Sequence, residues 1–406
     1  GLAPPAALTG SWFGSAAVLA PSVAVTPGAD AAVVDRMPVV VDAPPDAVGC
    51  GWVGYLGYGL TEPRSRARVL PPAAWGWADH VLRLDHDGRW WFEALVADDA
   101  PFPEALAAEL AACVAATPPP AAWRATGVRP PGRAQHRDAV LRCQEAIRAG
   151  EVYQANVCTR YGLRLDGDPA DVFAEGVARY GPRHAAYLSG PWGALASFSP
   201  ELFLRRHGRR VRSSPIKGTD ATDPARLAAS VKDRAENVMI VDLVRNDLGR
   251  VCAPGTVTVP ELLTVRRAPG VWHLVSTVDG ELRPGVPDSG LLAATFPPGS
   301  VTGTPKLRAL ELLGELEPWP REVYCGAIGM VSPLAGLELN VAIRTVEVAP
   351  GGEAWIGVGG GITIDSEPAA EWAECLAKAA PLLALLGGGV RAGVAVGAGT
   401  APPWAP

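Results

Sequence analysis

The sequence predicts an α+β fold in which large, mostly antiparallel β-sheets form a sandwich with helices on its outer faces. Stretches that read as strands outnumber those that read as helices, and short turns of the hairpin kind join successive strands, as at His207-Gly208. The 406 residues, 48% of them hydrophobic, suffice for a sizeable core in two or three domains or in one large unit.

Residues 1–130 form a smaller N-terminal portion, rich in Ala, Pro and Gly, that is expected to pack with the rest. Within it Gly51-Trp52-Val53-Gly54-Tyr55-Leu56-Gly57-Tyr58 alternates glycine with large side chains and suits a tightly packed strand or turn. Residues 86 to 96 read as a hairpin limb turning at Asp87-Gly88, and 103 to 116 as an Ala-rich helix. Thr117-Pro118-Pro119-Pro120, with Pro130-Pro131-Gly132, reads as a linker.

The main domain is expected over residues 131–388. It opens with a helix at 138 to 149 stopped by Gly150, then a strand through Leu165 and a helix at 171 to 180. Strands at 193 to 198, 201 to 206 and 209 to 214 precede one long helix at 224 to 247 and a strand at 271 to 278. A Gly/Pro/Ser/Thr-rich loop at 296 to 305 opens a helix ending at Leu316. Strands at 323 to 331, 338 to 348 and 353 to 358 lead to Gly359-Gly360-Gly361 and a last helix at 368 to 386. The Gly/Ala/Pro-rich tail, 389–406, is expected to be disordered.

Composition excludes several function classes. Charged residues are 19% of the chain and the formal net charge is −6, with no basic run dense enough to follow a phosphate backbone, so no nucleic-acid partner is expected. The apolar stretches are broken by Gly, Pro or charge before the ~18 residues a membrane span needs, so a cytoplasmic protein is expected. The chain opens on Gly-Leu-Ala-Pro-Pro with neither a methionine nor a basic segment, and its numbering is expected to start inside a longer product. Seven scattered cysteines, never in CxxC spacing, read as buried free thiols, and without a Cys/His cluster any metal should sit on carboxylates.

The chemistry centres on Pro215-Ile216-Lys217-Gly218-Thr219. An amine attacks only when neutral, so a nucleophilic Lys217 would need its pKa lowered from about 10.4 by desolvation or nearby positive charge. Pro215 and Gly218 would hold it in a tight, open turn. Asp233 and Glu236 are three apart on one expected helix, and Glu371 and Glu374 three apart on another, which puts each pair on one face. Each pair alone would read as a solvated surface; together they can close on one Mg²⁺, which takes oxygen ligands and keeps several waters.

Gly299 to Lys306 (GSVTGTPK) places small residues before a helix N-terminus, a seat for an anion, and Gly359-Gly360-Gly361 lets backbone approach a ligand closely. Neither loop has nucleotide-binding spacing, so a carboxylate is the better guess. Arg344 and Lys378 either pair with such an anion or carry structural charge. Glu201 could serve as a general acid in a dry pocket, and His273 either adds polarity near a leaving group or is a satisfied core histidine.

SFSPE (197–201), PIKGT (215–219), the run from Asp233 to Val251, HLVST (273–277), GSVTGTPK (299–306), CGAIG (325–329), IRT (343–345) and GGGI with EWAECLAK together resemble the chorismate-utilising enzymes, over about residues 135–385. In the N-terminal portion only Gly54-Tyr55-Leu56-Gly57-Tyr58 shares the likeness. Isochorismate and salicylate synthases of the family carry a water-activating lysine where this chain has Gln154, and anthranilate synthases have alanine where it has Lys217. A lysine there marks the branch that aminates C4 of chorismate, towards para-aminobenzoate.

The resemblance implies Mg²⁺ on Glu236 and Glu374, with Asp233 and Glu371 acting through water. It implies a covalent Lys217 intermediate, Glu201 as the acid for the C4 hydroxyl, and help from His273. Thr219, Tyr324, Arg344, Gly359, Gly360 and Gly361 would line the substrate site, with Thr302, Gly303 and Lys378 seating its other end. Ammonia would come from a glutamine amidotransferase subunit, because no cysteine here lies in a nucleophile-elbow context. Relatives can bind tryptophan in the N-terminal portion. The rival readings are amination at C2, as in anthranilate or 2-amino-2-deoxyisochorismate formation, and a non-catalytic subunit of the same fold.

Overall fold

The computed structural model describes residues 4–28, 31–41, 43–63, 66–97, 100–116, 122–268 and 271–387; the expected linker at 117–120 and the tail at 389–406 lie outside the described residues. Two sheets carry the fold, one of eleven strands and one of ten. The elements that position the site are the strands Gln154–Gly167 (β1), Leu202–His207 (β2), Ile216–Asp220 (β3), Val271–Glu281 (β4) and Glu353–Ile362 (β5), and the helices Val231–Gly249 (α1), Lys306–Leu316 (α2) and Pro368–Leu385 (α3). β1 and β5 pair in the first sheet, and β2, β3 and β4 lie in the second.

The sheets pack face to face over Trp12, Tyr55, Leu188, Leu195, Ile328 and Met330. Helices cover the outer faces: Pro169–Tyr180 and α3 the first, α1 and Asp288–Thr295 the second. Middle strands such as Ala327–Ser332 and Gly336–Val341 are therefore buried along their whole length and show no period-2 pattern. Ala6–Trp12 pairs with His184–Gly190, and Gly51–Leu56 with Ala327–Ser332, so both sheets run across residue 130.

Several expectations need correction. The helix expected at 224–247 is two helices, Pro224–Ala229 and α1, because Ser230 leaves the helical conformation and its side chain accepts a hydrogen bond from the Asp233 N–H, an N-cap. The helix expected at 138–149 begins earlier, as Arg133–Arg148. Thr258–Ala268 is a strand that the sequence did not announce; it pairs with β4 through two irregular registers. The expected strand at 338–348 is two, Gly336–Val341 in the second sheet and Thr345–Val348 in the first, with Arg344 at φ +52° where the chain crosses. Gly359 to Gly361 lie inside β5 instead of following a strand. Six of the seven free cysteines are buried, but Cys113 is exposed. Among the described residues no helix is long and apolar enough to cross a membrane.

Candidate active site

The site forms over Gly360 and Gly361 of β5, where side chains of both sheets and of α1 and α3 converge. Gly360 and Gly361 leave room above the strand: a Cβ on Gly361 would stand 3.0 Å from Glu236 Oε2, 3.1 Å from Lys217 Nζ and 3.6 Å from Gln154 Oε1, and one on Gly360 would stand 3.2 Å from Glu371 Oε2 and 3.8 Å from Glu374 Oε1. Lys217, Glu236, Gln154, Glu371 and Glu374 therefore converge over two adjacent residues.

Lys217 lies in strand β3, not in the tight turn expected. β3 pairs with β4 in register at Ile216 and Val275, then slips by Thr219 and His273, and the irregularity falls on Lys217-Gly218. A bulge of this kind re-aims a side chain. Gly218 adopts φ +95°, and a Cβ there would meet Asp233 Cβ at 2.9 Å, so glycine is required twice over. Asn237 fixes the lysine backbone, its Nδ2 donating to the carbonyls of Lys217 (3.3 Å) and Leu274 (3.0 Å). Lys217 is 9% exposed; among the described residues its amine has no hydrogen-bond or ion-pair partner, and the carboxylates that feel its charge are Glu201, Glu236 and Glu374.

Glu236 of α1 meets Glu371 and Glu374 of α3, whereas Asp233, one turn earlier on α1, lies against Gly218. Lys232 Nζ lies 2.7 Å from Glu371 Oε1 and 3.8 Å from Glu236 Oε1, and Ser366 Oγ donates to Glu371 Oε1 at 2.7 Å. Glu371 Oε2 is buried without a partner. Burial pushes the Glu236 carboxyl up; Lys217 and Lys232 oppose this, and Glu371 and Glu374 add to it. Burial is the largest effect on Glu374 and raises it, but Lys378, 2.7 Å away, together with Lys232 and Lys217 outweighs it and the carboxyl is pulled down. Lys378 Nζ also donates to the Gly359 carbonyl at 2.8 Å.

As placed, no three such groups among the described residues close on one point as a finished metal site. The donor set still fits Mg²⁺. Oxygens of Glu371 and Glu374 stand side by side over Gly360, one of them an orphaned buried atom, and the ion needs only one or two direct carboxylates.

Glu201 and Arg344 sit at neighbouring crossings between the sheets, where the Val341 N–H donates to the Glu201 carbonyl and the Phe198 N–H to that of Arg344. Burial pushes the Glu201 carboxyl up to about 7, against the pull of Ser300, Lys217, the Ile216 N–H and Lys378. It is therefore a protonated acid in part at neutral pH. His273, on β4, is pushed down to about 4 by burial, with the Arg344 charge adding to the effect, so it is neutral; its Nδ1 lies 3.2 Å from Thr219 Oγ1. The half-buried Arg344 guanidinium has no hydrogen-bond or ion-pair partner among the described residues, and burial weakens its hold on its charge. Such a group seeks an anion. Burial keeps the Tyr324 phenol protonated, and its ring packs on Gly357 of β5.

Gly303 pairs with Ala155 of β1, and the Asn156 N–H donates to the Thr302 carbonyl, which sews the GSVTGTPK loop to the strand beside Gln154. The Thr302 hydroxyl donates to the Pro298 carbonyl. Thr219 is exposed, at the edge of the site. Sequence reasoning gave no role to Ser300, Asn237, Lys232 or Ser366. Ser300 and Asn237 lie inside the quoted motifs, a usable signal; Lys232 and Ser366 reach Glu371 only through the fold.

Comparison with known proteins agrees with this geometry. The family model described as chorismate binding enzyme matches residues 28–384. "Aminodeoxychorismate synthase component 1" of Klebsiella aerogenes is 38% identical over 81% of this chain and 75% of its own length. "Aminodeoxychorismate synthase" of Streptomyces griseus is 41% identical over 84% of this chain, which spans about half (51%) of that relative. "Anthranilate synthase component 1" of Streptomyces coelicolor is 39% identical over 82% of this chain and 72% of its own. The solved anthranilate synthase component I of Streptococcus pneumoniae shares the fold, with a TM-score of 0.72, 24% identity, and coverage of 94% of this chain and 90% of that one. From a match running through both sheets and every element of the site, the chain belongs to the chorismate binding enzyme family.

Proposed function

We propose that the chain is the chorismate-aminating component of an aminodeoxychorismate synthase, converting chorismate and ammonia to 4-amino-4-deoxychorismate through a covalent bond to Lys217. The observation that carries this is the Lys217 amine. It is nearly buried, it is free of protein acceptors, and it is held over Gly361. At the position where water-adding relatives have a lysine base, this chain has Gln154, whose amide cannot take up a proton.

In this reading Arg344, Tyr324 and the backbone of Gly359 to Gly361 hold the enolpyruvyl carboxylate, and Lys378 with Thr302 and Gly303 seats the other end. Mg²⁺, held by Glu236 and Glu374 with Asp233 and Glu371 acting through water, would neutralise the ring carboxylate and the charge that develops on the diene. The neutral Lys217 amine forms a bond to C2 as both ring double bonds shift, from C1=C2 and C5=C6 to C1=C6 and C4=C5, and the C4–O bond breaks; Glu201 gives its proton to the hydroxyl, which leaves as water. Ammonia then bonds to C4, both double bonds shift back and the lysine nitrogen leaves C2 as a neutral amine, leaving the new amino group as an ammonium. Neutral His273, hydrogen-bonded to Thr219, adds a polar group without adding charge. Ammonia would come from a glutamine amidotransferase subunit, in keeping with the "component 1" in the names of relatives.

The test is incubation with chorismate, Mg²⁺ and ammonium salt, with mass analysis of product and protein. The expected product keeps its pyruvyl group, and the trapped protein carries a chorismate-derived adduct that Lys217→Ala lacks, along with most of its rate. Unchanged turnover in that variant would overturn the covalent role. Amination at C2, the reading that the relative from Streptomyces coelicolor supports, would instead release anthranilate and pyruvate.

A further inference from the structure

Beside Glu201, residues of the second sheet, α1 and the loop before α2 line a cavity of about 10 Å³, the space of one water molecule, to which no residue of β5 contributes. Glu201, Ser213, Asp247, Thr295 and Ser300 give it polar walls, and Val244 of α1 closes it on one side. Asp247 also lines a second, much larger space, an open groove of about 1300 Å³ along the outer side of α1 and the start of α2. It is thus shared by the inner cavity and the groove. In the groove, Lys306 Nζ lies 2.6 Å from Asp247 Oδ2 and donates to the carbonyls of Thr295 (2.8 Å) and Pro297 (2.9 Å); its side chain is 13% exposed.

We propose that this cavity holds a water through which Asp247, fed by Lys306 from the outer groove, returns to Glu201 the proton it spends in each turnover. The proposal rests on the reading of Glu201 as the acid for the C4 hydroxyl. When the hydroxyl leaves as water, Glu201 is left as a carboxylate. It takes a proton from the cavity water, the water takes one from Asp247, and Asp247 takes one from Lys306, which is reprotonated by water in the groove. Ammonia enters neutral and leaves on the product as an ammonium, so each turnover consumes one solvent proton, the one this path delivers. Asp247 and Ser300 touch no reacting atom; they relay or position.

The charges around the path agree with it. Glu201 is faced by Lys217 from β3 and Lys378 from α3, and Asp247 by Lys306 from α2 and Arg250 just beyond α1. Burial pushes the Asp247 carboxyl up and the Lys306 amine down, each against the attraction of the other, which brings their proton affinities together. Asp247 lines both spaces and Gly360 and Gly361 line neither, so this path joins Glu201 to the groove without passing over the floor of the candidate site.

The test compares first-turnover and steady-state rates by rapid quench in Asp247→Asn and Val244→Ile. The second fills the cavity while keeping every polar group, so it carries the test if the first does not fold. Run near pH 6, below the value of about 7 to which burial pushes Glu201, the enzyme starts with most of its Glu201 protonated, so the first turnover should match the wild type in both variants. The steady state should slow by about tenfold and show a larger solvent deuterium isotope effect. Equal slowing of both phases would mean a structural role only, and wild-type steady-state rates in both variants would eliminate the path. Glu201→Gln separates the two readings: loss of the first turnover upholds Glu201 as the acid whatever the relay variants do, and retention of it removes the acid itself.

Discussion

Gly361→Ala adds one methyl group at the centre of the site and tests whether Lys217, Glu236 and the ligand share the space above β5. The new Cβ would lie 3.0 Å from Glu236 Oε2 and 3.1 Å from Lys217 Nζ, closer than ordinary van der Waals contact. Both atoms end flexible side chains, so each can retreat by a few tenths of an ångström. Gly361 is not at a positive φ, so alanine meets no backbone strain. Stability should therefore change by less than about 1 kcal/mol, as for a substitution without cavity, charge or strain effects.

Activity should not survive so well. The methyl group displaces both the amine and the carboxylate by a few tenths of an ångström, a fraction of the ~1 Å that costs about a hundredfold, so a loss of about tenfold in kcat/KM for chorismate is expected. The assay is chorismate consumption with ammonium salt and Mg²⁺, beside a thermal melt. Wild-type kcat/KM in a fully folded variant would show that nothing reacts above Gly361. A comparable loss of melting temperature would show that the glycine serves packing.

Three further outcomes follow from the charges. Burial raises the folded-state pKa of Glu201 from 4.5 to about 7, so the general acid is lost as pH rises through about 7 and kcat/KM should fall on that limb; Glu201→Gln should lack the limb and be nearly inactive. By the same linkage the folded state binds this proton more tightly, so the stability cost of the carboxylate grows between pH 4.5 and about 7 and stays above it; Glu201→Gln should be more stable than the wild type at pH 8, on the order of 3 kcal/mol, and not at pH 4, as denaturant titration would read. Glu371→Gln removes the charge from the orphaned oxygen over Gly360 and should weaken Mg²⁺ affinity about tenfold by calorimetry, the scale of a supporting carboxylate; unchanged affinity would take Glu371 out of the cation site.

The chemistry was more legible than the backbone that presents it. Lys217, Glu201 and the two carboxylate pairs stand out because charged groups in apolar or polar-loop contexts are conspicuous in a sequence, and helical spacing alone put each pair on one face. The shape around Lys217 was not legible: Pro215 and Gly218 signal a turn, but pairing with β4 overrides that signal and turns the glycine into a bulge. Gly359 to Gly361 misled in the same way, since glycine is rare inside strands unless something must approach closely, which is the case here. The Asp247–Lys306 pair was invisible because its partners are 59 residues apart. The strands at Ala6–Trp12 and Ser15–Ala20 were missed because alanine and glycine carry little strand preference, and their place in a sheet comes from partners far along the chain.

That last arrangement has a consequence for how the protein is made. Ala6 pairs with Leu188 and Ala327 with Leu56, so neither sheet can be completed locally. At a synthesis rate of about 5–20 residues per second, the opening hairpin emerges roughly 10 to 40 s before the strand it must join. During that interval its backbone edge is bare and open to pairing with any neighbouring chain. The nascent hairpin of Ala6–Trp12 and Ser15–Ala20 is thus a segment for which holding by a chaperone matters, and the yield of active protein should respond to the pace of translation as well as to the stability finally reached.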